Sequence, residues 1–192
     1  MPMARRNLAA SAPVDDGGGS EEAFIARLKA GDGDAAREFF DLYAARVNRF
    51  IASSLGGDAR DAEDLLQETF IALAEALPYF RGDSSLFTFA CAIAHRKVQS
   101  FIRRNARRAR IALAAPLEPE RDAPGASPQD RRAVTEAMAH LQADHREVLM
   151  LKYVEDMSVN EIARVMQLSE HAVESRLARA RRALRAILEA SR

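Results

Sequence analysis

The chain has 192 residues, 28 Lys and Arg against 28 Asp and Glu, and a formal net charge of zero. That length holds one ordinary domain or two small ones, and its single cysteine, Cys91, excludes an internal disulfide and any cysteine-based zinc site. No apolar run is long enough to span a bilayer, and Arg5 and Arg6 are followed by no hydrophobic segment of the secretory kind, so the expected location is the cytoplasm.

Residues 1–19, rich in Ala, Ser, Pro and Gly, are expected to be a disordered extension. From Ser20 onward the pattern is helical throughout, with no sustained period-two strand. Phe24, Ile25 and Leu28 mark a first short helix closed by Gly31. Asp34 is placed to cap a second, whose Phe39, Phe40, Tyr43, Val47, Phe50 and Ile51 recur at three and four until Gly56-Gly57 stops it. Asp61 and Asp64 open a third helix, with Leu65, Leu66, Phe70, Leu73 and Leu77 inside and Pro78 ending it. A loop from Tyr79 to Asp83 follows, and Ser84 is placed to cap a fourth helix running towards Arg110. Within it, Cys91 sits among Phe89, Ala90, Ala92 and Ile93 and reads as a buried structural thiol.

The neutral sum hides a strong segregation of charge. Asp58, Asp61, Glu63, Asp64, Glu68 and Glu75 make one stretch acidic, whereas Arg96, Lys97, Arg103, Arg104, Arg107, Arg108 and Arg110 make another strongly basic with no acid among them. Such polarity points to separate partners of opposite sign. The composition then changes: Pro116, Pro119, Pro124, Gly125 and Pro128 lie between Ala114 and Pro128, a stretch that supports no long helix and reads as a linker. Ser127-Pro128 restarts the helical pattern, which continues through Arg131–Leu141 and Asp144–Tyr153. The expectation is an all-α protein of two small domains: residues 20–112, a linker at 113–127, and residues 128–192.

The end of the chain is the most telling. Ser158 with Glu161 three residues later is a capping-box signature. Ile162, Ala163 and Met166 share one face of the helix it opens, Gln167 and Leu168 break the pattern, and Ser169 caps a second helix. Val173, Leu177, Leu184 and Leu188 form the buried stripe of that helix, while His171, Glu174, Ser175, Arg176, Arg179, Arg181, Arg182 and Arg185 occupy its other faces. A short supporting helix, a small residue at the crossing and a basic second helix are the parts of a DNA-binding helix-turn-helix.

Three ordered segments resemble one family. Asp61-Ala-Glu-Asp64-Leu-Leu-Gln67-Glu68-Thr-Phe70, then Phe87-Thr-Phe89-Ala-Cys-Ala-Ile93-Ala94, then Arg146-Glu147-Val148-Leu149 with Ser158 to Leu184, resemble bacterial RNA polymerase sigma factors. The closer similarity is to the extracytoplasmic-function (ECF) group, which keeps only regions 2 and 4. The resemblance implies that Asp61, Asp64, Gln67 and Glu68 dock on core RNA polymerase. It implies that Tyr79, Phe80, Arg96, Lys97, Gln99, Ser100, Arg103 and Arg104 engage the −10 element of a promoter, with the loop from Tyr79 to Asp83 receiving an unstacked base. It further implies that Ser169, His171, Glu174, Ser175, Arg176 and Arg179 face the −35 element, and that an anti-sigma factor is a partner. This chain departs from the family in having Phe89 for Trp, Arg96 for Asn and Ser100 for Asp, and Gln167 where glycine is common. Glu174 stands where many relatives carry Lys or Arg; it either accepts from a cytosine amino group or pairs with a neighbouring arginine.

The four histidines, His95, His140, His145 and His171, show no ligand spacing, so no metal is expected. No phosphate loop, nucleophile elbow or paired-carboxylate site is present in the sequence, so neither an enzyme nor a cofactor is expected. The rival expectation is a stand-alone helix-turn-helix regulator, which leaves the acidic helix and the Pro-rich segment without a role.

Overall fold

The structure, a computed structural model, describes residues 19–55, 59–109, 134 and 136–190. The expectations for residues 1–18, for Gly56-Gly57 and for the segment from Ala114 to Pro128 lie outside the described residues. Among the described residues every regular element is helical. In chain order they are α1 (Gly19–Lys29), α2 (Gly33–Leu55), α3 (Ala59–Ala76), a 3-10 turn (Leu77–Tyr79), α4 (Leu86–Ala109), α5 (Ala143–Tyr153), α6 (Val159–Met166) and α7 (Glu170–Ala190). Residues 136–139 are also helical and precede α5.

The chain forms two compact units, Met1–Phe39 and Phe40–Arg192. In the first, Gly31 takes a left-handed φ of 76° between α1 and α2. The carboxylate of Asp32 then accepts from the backbone N–H groups of Asp34 (2.9 Å) and Ala35 (3.1 Å), so Asp32 and not Asp34 caps α2. Asp34 instead pairs with Arg37 at 3.0 Å. Arg27 reaches back to Asp32 at 2.8 Å, and this hydrogen bond holds the Asp32 carboxyl below its ordinary value.

In the second unit, α3 and α4 pack on each other and are joined by residues 77–85. Leu86, Ala90, Ala94 and Val98 recur every fourth residue along α4, and all are buried, as are Leu65 and Leu73 of α3 and Val47, Phe50 and Ile51 of α2. The buried hydroxyls of Ser54 and Thr69 donate to the carbonyls one turn back, Phe50 O (2.9 Å) and Leu65 O (2.6 Å), so neither is left unsatisfied. The cap of α4 is Ser85, whose Oγ accepts from the Thr88 N–H at 3.1 Å; the expected cap, Ser84, bonds the Ser85 carbonyl instead.

The C-terminal helices build the expected helix-turn-helix. Helices α5 and α6 pack against α7 and against each other over buried Val148, Leu151, Ile162, Val165, Val173 and Leu177. The capping box is formed in both directions: Glu161 N–H donates to Ser158 Oγ (3.2 Å) and Ser158 N–H donates to Glu161 Oε2 (2.9 Å). Ser169 caps α7 by accepting from Ala172 N–H at 3.2 Å. Leu184 and Leu188 are only half-buried, so the last turns of α7 carry a thinner apolar stripe than the sequence suggests.

Gln167 ends α6 in the left-handed conformation, φ 55° and ψ 45°, and the Leu168 N–H closes the helix on the Ala163 carbonyl at 2.9 Å. A residue with a Cβ is strained there by about 1 kcal/mol. Gln167→Gly should therefore raise stability by up to about 1 kcal/mol, less the entropy that glycine adds to the unfolded chain, as measured by urea denaturation.

Candidate polymerase and promoter interface

Helix α3 separates its residues by face. Ala62, Leu65, Thr69 and Leu73 are buried, while Asp64, Gln67 and Glu68 are exposed one turn apart on the opposite side and Asp61 is half-buried at the start. Ile71 continues the exposed stripe and is 62% accessible. Sequence reasoning passed over it, although its offset from Leu65 and Leu73 already set it off the core stripe. An apolar side chain amid carboxylates suits a protein-facing surface better than a purely solvated one.

Glu68 also borders the basic surface, since its Oε2 accepts from Lys97 Nζ at 3.3 Å. A cleft of about 430 Å³ runs between α3 and α4 here, with Glu68, Arg96, Lys97, Ser100 and Arg104 on its walls. Arg96, Arg103 and Arg104 are exposed on α4, Lys97, Gln99 and Ser100 are half-buried, and all lie off the Leu86–Val98 stripe. Arg96 Nε donates to the Ala92 carbonyl (3.2 Å) and Arg103 to Ser100 Oγ (3.2 Å), contacts on their own helix that hold both guanidinium groups against its surface.

The two aromatic residues before α4 part company. Tyr79 is 83% accessible, whereas Phe80 is 5% accessible and tilts against Phe89 with ring centroids 4.8 Å apart. Phe80 is thus a core residue supporting the loop, and Tyr79 presents its ring to solvent. Phe89, which stands where the family usually has tryptophan, is the ring on which Phe80 packs.

On the recognition helix α7, Ser169, His171, Glu174 and Arg179 are exposed, and Ser175 and Arg176 are half-buried. Arg176 Nη1 lies 3.4 Å from Asp144 Oδ2 on α5, so this arginine ties the recognition helix to its support. Arg179 Nε donates to the Ser175 carbonyl. Glu174 makes no ion pair with a neighbouring arginine among the described residues, which leaves its carboxylate available to an external donor.

The comparisons with known proteins match both halves. The family described as Sigma-70 region 2 covers residues 39–108, and Sigma-70 region 4 covers residues 131–184. The ECF RNA polymerase sigma factor SigC of Mycobacterium tuberculosis is 35% identical over 163 residues, spanning 83% of this chain and 86% of that protein. The chain belongs to the ECF group of the sigma-70 family. The sigma-E factor of Salmonella typhimurium is 27% identical over 180 residues, 86% of this chain and 92% of that protein. Among solved structures, CnrH in complex with the cytosolic domain of CnrY shares 26% identity and a TM-score of 0.67 over 90% of this chain and 99% of that one. The sigma factor RpoE bound to the anti-sigma factor NepR from Bartonella quintana shares the fold, with a TM-score of 0.69 over 81% of this chain and 98% of that one at 23% identity. As a sigma factor, the protein directs promoter-specific initiation of transcription, and the stand-alone regulator is set aside because region 2 is matched as fully as region 4.

One set of polar contacts joins region 4 of this sigma factor to region 2, and none of them was apparent in the sequence. Glu155, its side chain 1% accessible, receives Arg46 Nε at 2.8 Å and Arg49 Nη2 at 3.1 Å. Arg146 donates to Ser53 O (2.9 Å) and Ser54 O (3.2 Å), carbonyls of the last turn of α2, and also to Ala139 O and Leu141 O. Burial pulls the Arg146 guanidinium down from its ordinary value, and the neighbouring Glu147 opposes that pull. Glu147 is fully buried with His95 Nδ1 3.1 Å from its Oε2 and Gln99 Nε2 at 3.4 Å. The histidine is too poorly aligned to hydrogen-bond, and Glu147 Oε1 has no partner. Thr88 Oγ1 donates to Glu161 Oε1 at 3.2 Å, and Arg164 bonds the Asp83 carbonyl.

Partial burial opposes the charge on Glu161, but hydrogen bonds from Ser158 and Thr88, with Arg164 nearby, outweigh it and hold its carboxyl below the ordinary value of 4.5. A lowered carboxyl stabilises the fold fully above its unfolded value, and that contribution is lost as pH falls through the folded value. Denaturation midpoints followed from about pH 6 to about pH 3 should therefore fall less steeply for Glu161→Gln than for the natural chain.

Proposed function

We propose that this ECF sigma factor binds core RNA polymerase through the α3 stripe of Asp61, Asp64, Gln67 and Glu68, with Ile71 as its apolar centre. Region 2 spans residues 20–112 and region 4 residues 128–192, with 113–127 as the tether. Arg96, Lys97, Ser100, Arg103 and Arg104 of α4 contact the −10 element, while Tyr79 stacks on an opened base. Helix α7 reads the −35 element through His171, Glu174 and Arg179, with Ser169 and Ser175 at its edge. Phe80, Gln99 and Arg176 act behind these surfaces, as their burial and intramolecular partners indicate. The factor works in the cytoplasm within a stress or signal response and is held in check by an anti-sigma factor; the structural neighbour RpoE is itself in complex with an anti-sigma factor, NepR.

The observation that carries this reading is the separation of charge by face. The acidic stripe of α3 and the basic face of α4 adjoin at the Glu68–Lys97 pair and otherwise lie on separate helices, so a basic protein surface and a nucleic acid can engage region 2 together. Asp64 is exposed, so Asp64→Lys should leave the melting temperature unchanged and weaken binding to core polymerase at least about tenfold in a competition assay, equivalent to about 1.4 kcal/mol. Binding at the natural affinity would remove α3 from the docking surface.

Arg179 is the most direct test of base reading, because Arg176 is engaged by Asp144. If Arg179 reads a base edge, Arg179→Ala should cost about 1–3 kcal/mol on a cognate promoter and relax preference at one position. A loss that is equal on all sequences, with a shallower salt dependence, would make it a phosphate contact.

A further inference from the structure

The recognition helix α7 is held to its two supporting helices by polar contacts as well as by its core. At its first residue, Glu170 Oε1 accepts from Asn160 Nδ2 of α6 at 2.8 Å. Nearly two turns on, Arg176 Nη1 lies 3.4 Å from Asp144 Oδ2 of α5, and the arginine side chain is only 24% accessible. Asp144 is a fixed post for this contact. It stands in the first turn of α5, where a carboxylate suits the helix end, and Arg146 fastens that end to the carbonyls of Ala139 and Leu141. Arg179 lies one turn beyond Arg176 on the same flank of α7. Among the described residues no carboxylate holds Arg179, whose Nε donates only to the Ser175 carbonyl. We infer that Asp144 is a positioning residue for promoter reading: it withholds Arg176 from the DNA backbone, so that Arg179 reads its base with no second free guanidinium beside it. This inference rests on the −35 role proposed above for α7.

The chemistry of a free arginine explains why a tether matters. An unengaged guanidinium finds a phosphate oxygen on any duplex, which adds affinity without sequence preference. Arg176 and Arg179 are the arginines nearest the N-terminal end of α7, the end that enters the groove in a helix-turn-helix, and Arg181, Arg182 and Arg185 follow further out. At the reading end, sequence-independent attraction blurs base choice most. Two free arginines one turn apart there also repel each other and compete for the same stretch of DNA. Pairing with Asp144 neutralises the first and leaves the second to a base edge. A partly exposed ion pair adds little to stability. Its effect lies in which arginine is available, and specificity is gained by holding one attraction back.

The test uses holoenzyme assembled from the full chain and core polymerase, on two duplex promoters that differ only in the −35 element. The preferred one is selected from a randomised −35 library with the natural holoenzyme. Asp144→Asn keeps the side-chain size and unpairs Arg176, and it should lower the melting temperature by no more than about 4 °C. It should tighten binding to the disfavoured promoter by up to about eightfold at roughly 0.1 M salt and steepen the log–log salt slope by about 0.9, the values for one added phosphate contact. On the preferred promoter the disturbed Arg179 contact offsets that gain, so the preference between the two should fall. Asp144→Glu should restore it. In an Arg176→Gln background, Asp144→Asn should change neither slope nor preference. A tightening that persists there is plain loss of a negative charge and overturns the positioning role, as does an equal loss on both promoters. A natural holoenzyme with no −35 preference sinks the reading role of α7 and this inference with it, whereas a natural preference that Asp144→Asn leaves intact sinks the tether alone.

Discussion

Everything in the larger unit depends on α4 serving three neighbours at once. Its Leu86–Ala90–Ala94–Val98 stripe is core, its arginines face outward, and the edge holding Thr88, His95 and Gln99 meets region 4. A helix has room for three faces only if each is narrow, and small residues make this possible. Ala90 and Ala94 fill the buried stripe without width, which lets α3 approach and leaves the remaining arc for polar work. A bulky residue at either position would rotate α4 about its axis and displace all three surfaces together.

Surface and the seam between regions 2 and 4 hold their charged groups differently. On α3 and α7 the charges stand in water, where single pairs such as Lys97 with Glu68 add little to stability and remain open to exchange for a partner's groups. At the seam they are buried. Glu155 and Glu147 have lost nearly all contact with solvent, and truncating one member of such a pair leaves the other stranded. Surface charge here serves encounter, and buried charge serves register.

Much of this was legible in the sequence because it is local. The capping box at Ser158 and Glu161 and the Ser169 cap each depend on a few adjacent residues, and both are found as expected. The caps of α2 and α4 are not Asp34 and Ser84 but their near neighbours Asp32 and Ser85, because the preceding turn decides which side chain is aimed at the helix end. Phe80 and Tyr79 look alike in sequence, yet the 3-10 turn sends one inward and the other out. The seam was invisible for a deeper reason. Arg46 and Glu155 are 109 positions apart, and no periodicity couples them.

Cys91 carries a consequence for the signals this factor can answer. Its thiol is buried in the α4 core, and burial, with Glu155 nearby, pushes its ionisation far up despite Arg46. Oxidants and electrophiles attack the thiolate, so the only sulfhydryl of the chain is chemically silent while region 2 stays folded. An oxidising stress therefore has no cysteine handle on this protein itself, and any such signal routed through thiol chemistry must be sensed by another molecule.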